Sequence, residues 1–278
     1  MPAIDISAPL RLAGVDFTSA PTRRKPITVA LGDLSTGIVR LARVDAHVDF
    51  ASFSAWLRAP GPSLAAFDFP FGLPRELVTA LDWPTEWLPL MQHYTRLSRT
   101  QIREAFAAFC AARPAGAKFA HRATDGPAGS SPSMKWVNPP VAYMLHAGVT
   151  MLIEAGLHLP GLHAGDPQRV GLEGYPGLLA RELIGTRSYK SDTRAKQTPE
   201  RLLARKDLIE ALEQGRTRLG LRLKLSHAQR DALAADAAGD RLDAVLCLMQ
   251  AAWASHQPRH GLPPQVDPIE GWIVSAPW

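Results

Sequence analysis

The stretch Leu10-Arg11-Leu12-Ala13-Gly14-Val15-Asp16 is an apolar run that ends on a carboxylate, and it is followed by the turn-rich Phe17-Thr18-Ser19-Ala20-Pro21. Aspartate is disfavoured in strands, and a buried carboxylate is costly unless it is paired, hydrogen-bonded or bound to metal. The run therefore reads as a buried strand whose last residue is placed for chemistry. Outward from it, Ile27–Leu34 and Gly37–Val44 read as two further strands joined by a hairpin turn at Ser35-Thr36-Gly37. Phe50, Phe53 and Leu57 have helical spacing behind a capping Asp49. Leu64–Phe69 is a second apolar strand, interrupted by Asp68 and stopped by Pro70. The amino-terminal order is thus β-β-β-α-β.

The remainder is mainly helical. Arg75–Arg113 carries helical periodicity, and 114–140 is a long loop rich in Gly, Pro and Ser, of a length that is often functional. A helix is expected over 140–155, a short strand over 169–173, helices over 177–184, 199–213, 228–235 and 241–254, and a last apolar run at 271–274. With no internal repeat, this order predicts a single α/β domain over 1–278, with a helical and loop insertion at about 82–166.

Composition limits the function classes. The 278 residues are 46% hydrophobic and 21% charged, an ordinary globular balance. Two cysteines, Cys110 and Cys247, exclude a disulfide framework and a four-cysteine zinc site, and a reducing cytoplasm fits. The amino terminus lacks an apolar leader, and no stretch is apolar enough to span a bilayer, so a soluble cytoplasmic protein with no membrane partner is expected. Phosphate-loop, dinucleotide, nucleophile-elbow and zinc-protease motifs are all missing. His256 and His260 are four apart, but Pro258 breaks the helix that would align them.

Charge is unevenly spread. The chain is +5 overall, while residues 181–230 hold 13 Arg/Lys against 6 Asp/Glu, net +7, leaving the rest at −2. Such a segment is either the footprint of a polyanion such as nucleic acid or a solvated helical surface.

Five acids stand at unusual places. Asp16 and Asp68 end strands, Glu173 ends a strand before a Gly-Tyr-Pro turn, and Asp240 and Asp243 open an otherwise apolar helix. Carboxylates brought together repel, and a pair of divalent cations relieves the repulsion while activating water for phosphodiester cleavage. Each acid also has a structural reading: Asp240 as an N-cap, Asp243 favoured by the helix dipole, Asp16 and Asp68 bonding the turns that follow them. Glu270 reads as a strand-edge acid.

Taken together, Gly14-Val15-Asp16, Phe67-Asp68-Phe69-Pro70-Phe71-Gly72-Leu73-Pro74, Glu173-Gly174-Tyr175-Pro176, Asp240-Arg241-Leu242-Asp243-Ala244 and Glu270-Gly271-Trp272-Ile273 resemble, in order, the domain-of-unknown-function family 429, described as predicted nucleases of the ribonuclease H-like fold. The resemblance spans nearly the whole chain. It implies a mixed five-stranded sheet flanked by helices, with the first three strands antiparallel. It also implies that Asp16, Asp68, Glu173, Asp240 and Asp243 form an acidic cluster for Mg²⁺ or Mn²⁺, acting on DNA or RNA. Arg122, in His121-Arg122-Ala123-Thr124-Asp125, and Lys190 are candidates for binding a substrate phosphate, against a surface Arg–Asp pair and an exposed lysine. The expected activity is metal-dependent hydrolysis of nucleic acid. The alternatives are phosphoryl transfer to a small molecule and an inert binding protein of the same fold.

Overall fold

The computed structural model describes residues 10–278, and β1 (Leu10–Asp16) lies at the centre of its sheet. From Leu12 to Asp16 every residue of β1 is buried, which is why the run is apolar without alternation. β2 (Ile27–Ser35) returns antiparallel beside it, and β3 (Ile38–His47) pairs with β2 through a tight turn at Thr36-Gly37, both at positive φ. Asp49 caps α1 (Phe50–Arg58) through the amide of Ser52. β4 (Leu64–Phe67) then lies parallel to β1 on its other side.

Arg75–Arg113 folds as three helices, α2 (Arg75–Ala80), α3 (Trp87–Arg96) and α4 (Arg99–Ala111). A Ser98–Gln101 capping box starts the last of these. The long loop holds one turn of helix, α5 (Asp125–Ala128), before α6 (Val141–Glu154). β5 (Leu157–His158) and β6 (Asp166–Glu173) follow, then α7 (Pro176–Ile184), α8 (Pro199–Glu213), β7 (Arg222–Lys224), α9 (His227–Ala235) and α10 (Asp240–Ser255). No helix among the described residues is long and apolar enough to cross a membrane.

The chain is α/β as expected, but the sheet has seven strands rather than five, in the order β5-β6-β4-β1-β2-β3-β7. The added strands are edges of two and three residues, too short for periodicity to reveal. The apolar run at 271–274 makes only an isolated bridge between Ile273 and Glu173. One core lies under α7–α10 and takes Leu12, Ala30, Leu64, Ala66, Val170 and Leu172 from the sheet. The other lies under α1–α4 and α6 and takes Ala13, Val15, Ala65 and Phe67.

Two features of this arrangement position the acids. β1, β4 and β6 are mutually parallel, and their register aligns Val15 with Phe67 and Phe67 with Glu173, so three acids emerge at one edge. The second feature is the contact between α10 and β1. A Cβ on Gly14 would lie 2.0 Å from the amide nitrogen of Leu248 and 2.1 Å from the carbonyl of Ala244. Helix backbone therefore rests on strand backbone, and α10 is buried nearly all round. Gly14→Ala should lower stability by about 1–3 kcal/mol or more through overpacking. Urea denaturation with an unchanged midpoint would show that the helix can withdraw without cost.

A candidate metal centre at the carboxyl edge of the sheet

Alternation along each strand decides which acids meet. Asp16 continues the face of Leu12 and Gly14, and Asp68 continues that of Leu64 and Ala66; both faces are covered by α10. Asp243, in the first turn of α10, descends onto the same spot. One carboxylate oxygen from each of Asp16, Asp68 and Asp243 lies within 4.8 Å of the other two. Asp243 is fully buried and Asp16 nearly so.

Glu173 falls on the opposite face. It pairs with Phe67, and both turn away from Val170, Leu172 and Asp68, so the expected five-acid cluster divides. Its two oxygens accept from Arg122 at 2.7 and 2.8 Å, and the amide of Phe71 adds a third bond at 2.9 Å. Arg122 in turn bonds Asp125 and the carbonyl of Glu270. These contacts use all five guanidinium N–H groups, and Arg122 is 3% exposed. Arg122 thus has no donor left for a phosphate, and its pair with Asp125 is buried rather than at the surface. Burial pushes Glu173 up from the ordinary carboxylate range, with Arg122 opposing it. Glu270 is also structural, accepting from the amides of Arg75 and Ala123 at 2.8 Å each.

Asp240 and Asp243 differ although they share a helical turn. Gly239, at φ 82°, is the residue preceding α10, so Asp240 is its first residue and not its cap. Asp240 is held by Lys25 at 2.5 Å, and Lys25 also reaches Asp192 at 3.0 Å. Asp243 accepts from the Tyr189 hydroxyl and from the Lys190 ammonium. Lys190 is set by its own backbone: Arg201 donates to its carbonyl, and a Cβ on Gly239 would come within 2.7 Å of Lys190 Cβ.

No described residue donates a hydrogen bond to the side chain of Asp16 or Asp68. Burial is the first cause that raises both above the usual range, Asp16 well above it and Asp68 to about 7; Asp243 adds to each, and Lys190 opposes. Burial would depress Lys190, but Asp243 and then Asp16 and Asp68 outweigh it and hold the ammonium well above its ordinary value. Hard carboxylate oxygens, with no described donor on Asp16 or Asp68, fit Mg²⁺ or Mn²⁺ better than softer ions. Asp16, Asp68 and Asp243 are the residues that would hold the ion.

A cleft of about 650 Å³ opens beside the triad, with Asp68 and Lys190 in its lining. Arg181, Arg187 and Tyr175 also line it; the sequence shows Tyr175 only as part of the turn after Glu173 and gives none of the three a role at the site. Lys25 was missed as well, because it lies in a turn-rich segment without periodicity. The basic segment is partly self-neutralised: Arg187 pairs with Asp207, Arg218 with Glu182, and Arg230 with Glu213. Arg205 is buried and bonds the carbonyls of Ala234 and Tyr189. No protein family, curated protein or solved structure matches the chain.

Two outcomes follow from these charges. Asp68 and Asp16 are raised, so their protonated forms stabilise the metal-free fold. That contribution is full below about pH 4 and is lost as pH rises above it, for Asp68 through about 7. In EDTA, the melting temperature should therefore fall as pH rises from about 4 to about 7, and Asp68→Asn should flatten the fall. Arg122→Gln should cost about 3–5 kcal/mol by leaving two buried carboxylates uncompensated, measurable by denaturant titration.

Proposed function

We propose that this chain is a divalent-metal-dependent nuclease that hydrolyses phosphodiester bonds. The observation that carries this reading is the triad of Asp16, Asp68 and Asp243, in which Asp16 and Asp243 are buried, Asp68 is half-buried at an open cleft, and neither Asp16 nor Asp68 has a donor among the described residues. The central strand order β3-β2-β1-β4-β6, with the first three strands antiparallel, supports the ribonuclease H-like expectation.

When bound, Mg²⁺ or Mn²⁺ would lower the pKa of a water and stabilise charge on phosphoryl oxygens. The protein side chains do the rest. Tyr189 and the first turn of α10 fix the orientation of Asp243. Lys190, with 42% of its side chain exposed, sits where the triad meets the cleft and is placed to bind a phosphate oxygen. With Glu173 on Arg122 and Asp240 on Lys25, the triad supports one ion directly. A two-ion site would require Lys25 to release Asp240. The nucleic-acid partner is supported by the exposed cations near Lys190: Arg187 at the cleft, and Arg194 and Lys196 just beyond it in sequence. Phosphoryl transfer to a small molecule is favoured only by the size of the cleft, since the chain lacks a glycine-rich phosphate loop.

Mn²⁺ at about 100 times its dissociation constant should stabilise the wild-type fold by about 2.7 kcal/mol, read as a rise in melting temperature. Asp16→Asn should lose that rise together with Mn²⁺-dependent cleavage, yet remain folded and gain metal-free stability from relieved repulsion. Full cleavage by Asp16→Asn would remove the triad from the reaction. An Mn²⁺-induced rise in wild type without cleavage of any nucleic acid would favour the inert binding protein.

A further inference from the structure

We propose that the cleft beside the triad receives an unpaired nucleotide, so that the chain acts on single-stranded nucleic acid; this deepens the nuclease reading and rests on it. The first argument is size. At about 650 Å³ the cleft falls within the roughly 300–1,000 Å³ of pockets that enclose a small ligand. Recognition of a duplex instead spreads over a broad surface, commonly about 1,000–2,500 Å². One base with its sugar fits a cleft of this size.

The second argument is the mixed chemistry of the lining. Pro139, Val141 and Met144, at and just before the start of α6, supply an apolar part of the wall. Arg181, Arg187 and Lys190 supply a basic part. The Arg181 guanidinium lies 5.4 Å over the Tyr175 ring and donates to the carbonyl of Ala128, which fixes a planar cation on an aromatic face. Arg187 is half-exposed, pairs with Asp207 at the surface and reaches the carbonyl of Ile184 at 3.4 Å, contacts weak enough to exchange for a phosphate. The polarity is thus that of a nucleotide, with a base toward the apolar wall and a phosphate toward the cations.

The third argument is continuity. Asp68 belongs both to the triad and to the cleft lining, and Lys190 touches Asp243 while lining the cleft. A nucleotide seated with its base against α6 would bring its phosphate to the carboxyl edge of the sheet. Base pairing would hold that base away from the wall.

The test measures binding in EDTA by fluorescence anisotropy, using a short labelled oligothymidylate, an oligouridylate and a blunt DNA duplex of equal length. A single strand, whether DNA or RNA, should bind roughly tenfold or more tightly than the duplex. Met144→Trp, which fills the cleft, should abolish that preference, and Met144→Ala, which widens it, should keep it. Retention of the Mn²⁺-induced rise in melting temperature shows that Met144→Trp is folded. Should it not fold, Arg187→Gln must weaken single-strand binding and reduce the salt slope by about 0.7.

Equal binding of duplex and single strand would overturn the proposal, as would wild-type binding by Met144→Trp. Competition by thymidine monophosphate as effective as that by the oligonucleotide would overturn it in favour of a small-molecule site. Failure of the nuclease reading shows elsewhere: wild-type protein with Mn²⁺ would then hydrolyse neither the oligonucleotides nor bis(p-nitrophenyl) phosphate, whatever it binds in EDTA.

Discussion

The contact of α10 with β1 is the constraint on which the other features depend. Helices normally stand off a sheet by the length of their side chains, but Gly14 offers none, and the backbone of α10 at Ala244 and Leu248 fills the space. The approach draws the first turn of α10 down to the end of β1, so that a short aspartate at position 243 can reach Asp16. With a longer separation, two aspartates could not come this close. The same approach buries α10 almost completely, which explains its alanine-rich and nearly continuous apolar sequence.

Once several carboxylates are crowded at one edge, their repulsion must be relieved, and the molecule does so unevenly. Glu173 and Asp125 share Arg122, and Asp240 takes Lys25. Asp243 is met by Lys190 and Tyr189. Among the described residues Asp16 and Asp68 receive no such partner, and burial with neighbouring charge raises both. A buried carboxylate that is hydrogen-bonded on several sides is a strut, whereas one left without a donor is costly in the metal-free state. The distribution of cations thus sets Glu173 and Asp240, each tied to its own cation, apart from Asp16 and Asp68, and Asp243 joins the latter two by proximity although Lys190 meets it.

Much of this was legible in the sequence where the signal is local. The ends of β1, the Asp49 cap and the span of α8 follow from apolar periodicity and capping residues. Asp16 and Asp68 were legible because each interrupts a good strand at its end. The face of Glu173 was not, because it depends on register with β4, and a strand-end acid looks the same in sequence on either face. The saturation of Arg122 was hidden in a loop whose partners lie at residues 125, 173 and 270. Arg205 is different. Its charge groups it with the basic residues of the segment as a phosphate contact, but it falls three and four residues before Leu208 and Ile209, on their face of α8, and is buried there.

Parallel strands present their carboxyl ends together, and β1 is where the sheet changes from antiparallel to parallel neighbours. In open α/β sheets, ligands gather at such a switch because the loops leaving adjacent strands diverge there. Here the loop after β4 leads into Asp68-Phe69-Pro70, and β6 leads into Tyr175 and α7; the cleft opens between them. Lys190 enters from the far end of the segment after α7, anchored by Arg201 to α8 and seated against Gly239 before α10. A side chain fixed at its backbone and free at its tip can hold Asp243 in one state and meet an incoming anion in another without any rearrangement of the sheet. The rigid part of the site is thus the carboxyl edge under α10, and the part able to adapt is a single ammonium at the mouth of the cleft.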